Sequence, residues 1–193
     1  MIINVRGTSG SGKTTLMRHF MSLCSSTENI YPEGSKKAEA LKCIYKGQIV
    51  FLLGSYANTC GGCDTINKQD TVCQLIEDYS FEGHVMFEGL MISHIYERYA
   101  AKARVDVDNW WFLMLETKFE TCMEHIRQRR REQGKDDTLK ESVFTNARRT
   151  FDATYRIRDK FTAEGINWKE VPLTNRFGLF EMYIDDILGL EEL

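Results

Sequence analysis

MIINVRGTSGSGKTT, residues 1–15, sets an apolar run against three glycines (Gly7, Gly10 and Gly12) and a lysine. Each glycine costs conformational entropy on folding and gives a hydrophobic core nothing. Crowding them here makes sense only where something must come close to bare backbone. Residues 7–14 spell G-x-x-x-x-G-K-[ST] between a predicted strand and a predicted helix, the context this pattern needs. Its glycines let backbone N–H groups turn inward around phosphate oxygens, and the helix opening near Lys13 aims its positive end at the same charge. The expected ligand is a nucleoside triphosphate held by Gly7, Thr8, Ser9, Gly10, Ser11, Gly12, Lys13, Thr14 and Thr15. Lys13, at an exposed helix start, reaches the β and γ phosphates, and Thr14 holds Mg²⁺ through its hydroxyl.

Outward from this loop, helical spacing of Leu16, Phe20 and Leu23 predicts a helix over 13–25, and 26–40 reads as polar loop. LKCIYKGQIVFLLGSY (41–56) reads as two strands joined at Lys46-Gly47, followed by a glycine-containing loop at 57–67. An amphipathic helix over 68–82 carries Val72, Leu75, Ile76 and Tyr79, and HVMFEGLM (84–91) is a buried strand running into a helix at 93–104. WWFLMLE (110–116) is the next strand. Helices at 118–131 and 140–163, a strand at 166–173 and a helix at 177–188 complete the chain. Apolar strands alternating with helices imply an α/β fold, a doubly wound parallel sheet with helices on both faces. No linker interrupts residues 1–193, so one domain is expected, with a mobile, basic, lid-like segment near 127–137.

The composition is that of an ordinary globular protein, 42% hydrophobic and 27% charged. No apolar run approaches the roughly 18 residues of a membrane span, and MIINVRG lacks the pattern of a signal peptide, so a cytoplasmic setting is expected and no membrane partner. The six cysteines then read as reduced thiols. Cys60 and Cys63 form a C-x-x-C with no second pair nearby, and are read as structural rather than metal-binding. A net charge of −3 argues against indiscriminate coating of nucleic acid. The charge is uneven, however: residues 127–160 hold eleven Lys/Arg against six Asp/Glu, while 161–193 hold two against seven. One basic region on an acidic body suggests a polyanion met at one place. There, Arg148, Arg149, Arg156 and Arg158 on a predicted helix could lie along a phosphate backbone. Phe151 and Tyr155 read as core residues rather than base-stacking platforms.

Two carboxylates complete the chemistry. Glu88 ends the strand Val85-Met86-Phe87, where an acid can orient Mg²⁺ or its water, and ligands collect at the carboxyl ends of strands in open α/β sheets. Asp64, in TCGGCDTI, follows another apolar strand and can reach the same rim to accept a hydroxyl proton. The cluster Arg127, Arg129, Arg130 and Arg131 can close over a triphosphate, with Arg127, Arg130 and Arg131 as catalytic candidates. Asn67-Lys68-Gln69-Asp70 spells the guanine-reading N-K-x-D, but it precedes the carboxylate strand and opens a predicted helix. A small phosphotransferase is the first reading. A nucleoside or nucleoside-monophosphate kinase and a GTP-binding regulatory module are the alternatives, and no protein partner is expected.

Taken together, MIINVRGTSGSGKTT, LLGSYANTCGGCDTI, HVMFEGLM and FLMLETKFETCMEHIRQRRR resemble a phage-associated P-loop kinase family, the 5-hydroxymethyluracil-DNA kinases of DNA base hypermodification. The resemblance covers most of residues 1–135, and the G-G-C-D-T-I segment is its most specific part. It implies a nucleotide-kinase-like P-loop NTPase fold, ATP with Mg²⁺ at Gly7–Thr15, and a catalytic or substrate-orienting Asp64. It also implies a phosphate-site acid at Glu88, a mobile arginine segment around Arg127–Arg131, and Gly61 and Gly62 letting their loop approach the acceptor. The reaction implied is γ-phosphate transfer to the hydroxymethyl group of a modified pyrimidine in DNA, in host cytoplasm.

Overall fold

The computed structural model describes residues 1–58 and 60–190; Thr59, within the expected 57–67 loop, and residues 191–193 lie outside the described residues. In chain order the elements are β1 (Ile2–Arg6), α1 (Lys13–Leu23), β2 (Ser26–Ile30), β3 (Ala40–Tyr45), β4 (Gln48–Leu53), α2 (Gln69–Ser80) and β5 (His84–Glu88). Then come α3 (Leu90–Ser93), α4 (Glu97–Val105), β6 (Trp110–Leu115), α5 (Phe119–Glu132), α6 (Glu141–Ala163), β7 (Trp168–Val171) and α7 (Arg176–Leu188). Among the described residues, seven strands make one sheet in the order β2-β3-β4-β5-β1-β6-β7. The strands from β4 to β7 pair in parallel, and β2 and β3 add an antiparallel edge.

Alternation along each strand divides the core in two. Ile2, Val85, Phe87, Phe112 and Met114 face α2, α4 and α6, where Ile76, Tyr99 and Phe161 meet them. Ile3, Val5, Leu52, Met86 and Leu113 face α1 and α7, against Leu16, Phe20, Phe180 and Ile184. Helices therefore cover both faces, as the sequence predicts. β1 is the central turning point: β5 lies on one side of it and β6 on the other. A crevice opens at the carboxyl ends of strands where the order of connection reverses in this way.

Two residues break the apolar pattern of β1. Asn4 and Arg6 are fully buried on the α4/α6 face. Asn4 Nδ2 donates to Phe87 O at 3.3 Å, Arg6 Nε donates to Asn4 Oδ1, and Arg6 Nη1 donates to Ile95 O at 2.9 Å. Tyr99, Phe112 and Phe161 surround the guanidinium with ring centroids 5.4, 5.0 and 5.3 Å away. Burial pulls its pKa down to about 9, so it stays charged at neutral pH. This chain ties β1, β5 and the α3–α4 junction together.

The structure differs from expectation in two places. Residues 26–30 form a strand although they read as loop: β2 is almost wholly exposed, and its order comes from the ladder with β3 rather than from a buried face. The expected helix at 93–104 is instead two helices broken at 94–96, where Arg6 takes the Ile95 carbonyl and Ser93 Oγ donates back to Gly89 O at 2.7 Å. The hairpin at Lys46-Gly47 forms as predicted, with φ of 47° and 82° at its two central residues, the pair of positive values a type I′ turn needs.

Candidate active site

The register Val5↔Glu88 sets the end of β5 directly beside the strand that feeds the glycine loop. Gly10 (φ +77°) passes so close to α5 that a Cβ there would lie 2.2 Å from Cys122 O. Gly12 (φ +96°) turns the chain into α1, whose N-terminus carries no side-chain cap and no first-turn acid. Thr14 Oγ1 then donates to Glu88 Oε1 at 2.8 Å.

Lys13 is only 6% exposed, contrary to the expected exposed helix start. The loop wraps over it: Nζ donates to Gly7 O at 2.7 Å and Thr8 O at 3.0 Å. Burial lowers the Lys13 pKa, opposed by the charges of Glu88 and Asp64. Burial likewise raises the Glu88 carboxyl above its ordinary value, opposed by Lys13 and by the Thr14 hydrogen bond. Each group is thus harder to charge here than in water, despite the other's presence. A buried pair with incomplete compensation is poised to gain from a further charged ligand.

Asp64 sits in a single 3₁₀ turn (Cys63–Thr65) across from Glu88. Its Oδ2 accepts from Leu90 N at 2.8 Å and its Oδ1 from Met91 N at 3.2 Å, so it also caps α3. The glycines before it serve packing. A Cβ on Gly62 (φ +68°) would meet Glu88 O at 2.6 Å, and one on Gly54 (φ +86°) would meet Gly62 O at 2.0 Å. The loop is therefore folded down against Glu88 and the end of β4.

These groups border a cleft of about 730 Å³. Of the residues picked from sequence, Ser9, Gly10, Gly12, Lys13, Thr14, Thr15, Asp64 and Glu88 line it, and Gly7, Thr8 and Ser11 support it from behind. Thr8 Oγ1 shares a 3.0 Å hydrogen bond with Thr150 Oγ1, and Ser11 O accepts from Thr117 Oγ1 at 3.1 Å and from Arg176 Nη1 at 2.5 Å. Arg127, Arg130 and Arg131 stand outside the cleft. Arg131 pairs with Glu124 (2.7 Å) and Asp137 (3.1 Å), Arg127 reaches Glu124 at 3.6 Å, and Arg130 donates to Asp136 O at 2.7 Å. Consecutive helical positions point in different directions, and Arg129 is the one that faces in, with His125, Gln128 and Glu132. That i, i+3, i+4, i+7 spacing is a signal the sequence offers and the arginine cluster obscures. Arg129 Nη1 donates to Cys60 Sγ at 3.3 Å, and His125 Nδ1 donates to Gly10 O at 2.8 Å.

Arg18 and Arg176 also line the cleft and escape sequence reading. Arg176 is 8% exposed at the start of α7 and holds Ser11 O, Glu116 O and Thr117 Oγ1 together. The N-K-x-D residues 67–70 do not line the cleft; Asp70 opens α2 and pairs with Arg98. Cys60 is exposed and Cys63 buried, both free thiols.

Buried positive charge under a glycine loop, beside a hydroxyl–carboxylate pair, is chemistry for phosphate, and likeness to known proteins agrees: the chain is a phosphotransferase. It belongs to the 5-hmdU DNA kinase family. It is 37% identical over 131 residues to the 5-hmdU DNA kinase of Pseudomonas phage PaMx11, covering 67% of this chain and 69% of that protein. It is 30% identical over 179 residues to the 5-hmdU DNA kinase of Pseudomonas phage M6, covering 88% of this chain and 89% of that one. No protein-family model matches the chain.

Lys13→Met keeps the stem that the loop packs on and removes the ammonium. It should leave the circular-dichroism melt near that of the unaltered protein and lower phosphate transfer by about 100-fold or more. Undiminished transfer by a folded Lys13→Met protein would contradict the placement of the phosphates over this loop.

Proposed function

We propose that this protein is a P-loop kinase, one domain over residues 1–193, that moves the γ-phosphate of ATP to the hydroxymethyl oxygen of 5-hydroxymethyluracil in DNA. The observation that carries this reading is the 2.8 Å hydrogen bond from Thr14 to Glu88 beside buried Lys13, with Asp64 on the facing rim. The family and both relatives, named as kinases of that base in DNA, supply the acceptor.

The donor set fits Mg²⁺. Thr14 Oγ1 and Glu88 are hard oxygen ligands, and a small ion that keeps several waters and binds phosphate needs only one or two from the protein. Among the described residues no three His, Cys, Asp or Glu side chains cluster as a self-sufficient metal cage. Thr14 and Glu88 would hold the ion, which would neutralise charge on the transferring phosphates. The remaining work belongs to the chain. Lys13 exchanges its hold on Gly7 O and Thr8 O for phosphate oxygens, and the uncapped first turn of α1 offers N–H groups to the same charge. Leu173 and Phe177, both partly exposed on the cleft wall, give the nucleotide base an apolar surface. Asp64, fixed by two N–H donors, takes the proton of the hydroxymethyl group as its oxygen attacks the γ phosphorus. The bond from that phosphorus to ADP breaks, leaving a phosphomonoester on the base. Arg129 leaves Cys60 to neutralise the transferring group, a role the sequence offers to all four clustered arginines although only its three neighbours stand there as catalytic candidates.

A GTP-binding regulatory reading has lost its support, because the N-K-x-D residues lie away from the cleft and Asp70 is engaged with Arg98. No helix among the described residues is long and apolar enough to cross a membrane. With phage relatives, the host cytoplasm is the proposed setting.

The test offers γ-labelled ATP in parallel with DNA containing 5-hydroxymethyluracil, the same DNA with thymine, free 5-hydroxymethyluridine nucleosides and nucleoside monophosphates. Label should enter only the first, at the base; label on the free nucleoside or monophosphate alone would make this a small-molecule kinase. Asp64→Asn should keep ATP affinity and lower turnover by about 100-fold. A collapse of ATP affinity with turnover preserved at saturation would instead put Asp64 in the nucleotide site.

A further inference from the structure

The basic region expected to meet DNA divides into two sets on α6. On the flank facing α5, Arg148 lies over Phe119 and Phe151 and pairs with Asp152 at 3.3 Å. Arg158 lies over Tyr155 and pairs with Asp159 and Glu170, each at 3.2 Å. Those two arginines are consumed in holding α6 to its neighbours. Phe151 and Tyr155, partly buried beneath them, serve the same packing.

Arg149 and Arg156 are different. Both are exposed, and among the described residues neither has a hydrogen-bond or ion-pair partner. At 100° per residue they fall within about 40° of Lys160 around the helix. Lys160 lies 4.8 Å over the Tyr96 ring, so this flank turns toward α4. The acids at that end, Glu97 and Glu164, are both taken by Arg104, and the basic residues Arg98 and Lys102 of α4 are paired with Asp70 and Glu77. On α6 itself, Asp152 and Asp159 lie within one turn of these arginines but pair with Arg148 and Arg158, so among the described residues Arg149 and Arg156 have no carboxylate of their own.

It also leads to the reacting groups. Gly7 N donates to Ser93 Oγ at 3.3 Å, and the next residue, Thr8, bonds Thr150 on α6. Consecutive residues of the phosphate loop therefore touch α3 on one side and α6 on the other. Asp64 accepts from the first two N–H groups of α3, so α3 links the loop to Asp64.

We propose that the DNA backbone runs along this α4-facing flank of α6, with Arg149 and Arg156 as phosphate contacts about 10.5 Å apart along the helix axis, delivering the modified base toward Asp64. The proposal rests on the reading that the acceptor is in DNA. Arg148 and Arg158, counted with them in the sequence, take no part.

The experiment measures, by fluorescence anisotropy, the binding of an oligonucleotide carrying 5-hydroxymethyluracil across a range of salt, alongside phosphate transfer. Arg149→Gln/Arg156→Gln should flatten the slope of log affinity against log salt by about two units. It should raise the KM for DNA and leave the KM for ATP unchanged. Arg148→Gln/Arg158→Gln should leave the slope as it is. An unaltered slope and KM in the first variant, or the full flattening in the second, would overturn the track. If the unaltered protein binds the oligonucleotide without phosphorylating it, the proposed reaction falls and the slopes still decide the track. If it binds no DNA, the track falls as well.

Discussion

Everything in the site depends on the parallel register between β1 and β5. With Val5 opposite Glu88, the loop that follows one strand and the carboxylate that ends the other arrive at the same place. Thr14 then needs only the first turn of α1 to reach Glu88. A shift by one residue would turn Glu88 to the opposite face of the sheet, and the hydroxyl–carboxylate pair would not form. The register is fixed by burial on both faces: Ile3, Val5 and Met86 pack under α1 and α7, Ile2, Val85 and Phe87 under α2 and α4. The Asn4–Arg6 chain adds a polar lock, because Asn4 donates to a carbonyl of β5 and Arg6 to the junction of α3 and α4. The same strand thus positions both rims of the cleft, the one proposed for phosphate and the one proposed for the acceptor.

That arrangement costs stability where it serves chemistry. Lys13 and Glu88 are both pushed toward their uncharged forms by burial, and each offsets only part of the other's cost. Arg176 and Thr117 hold Ser11 from outside the loop, and Thr150 holds Thr8. The loop is thus held by the protein's own contacts, which lowers the cost of ordering it around a ligand.

Much of this was legible in the sequence because it rests on local pattern. The glycine loop, Glu88 at a strand end and the alternation of apolar strands with helices all stand where their residues indicate. What escaped rests on contacts between distant segments. β2 has no apolar face to announce it and exists through its ladder with β3. The break between α3 and α4 is set by Arg6, 89 residues away from Ile95. Lys13 looks exposed at a helix start until the loop folds over it. Among four crowded arginines, only the helical phase of α5 against the cleft selects Arg129. The motifs read from the sequence end near residue 135, although one relative aligns with 88% of the chain, and the division of the α6 arginines into paired and free sets needed the packing of α5, α4 and β7 around that helix.

We propose that the β1–β5 register makes Thr14 and Glu88 one unit around one metal ion. A double-mutant cycle of Thr14→Val and Glu88→Gln, read as turnover with saturating substrates across Mg²⁺ concentrations, tests it most directly. Residues acting as a unit are strongly non-additive, so the double variant should be about as slow as the slower single variant, and all three should need more Mg²⁺. Losses that multiply in the double variant, with Mg²⁺ dependence unchanged, would contradict it.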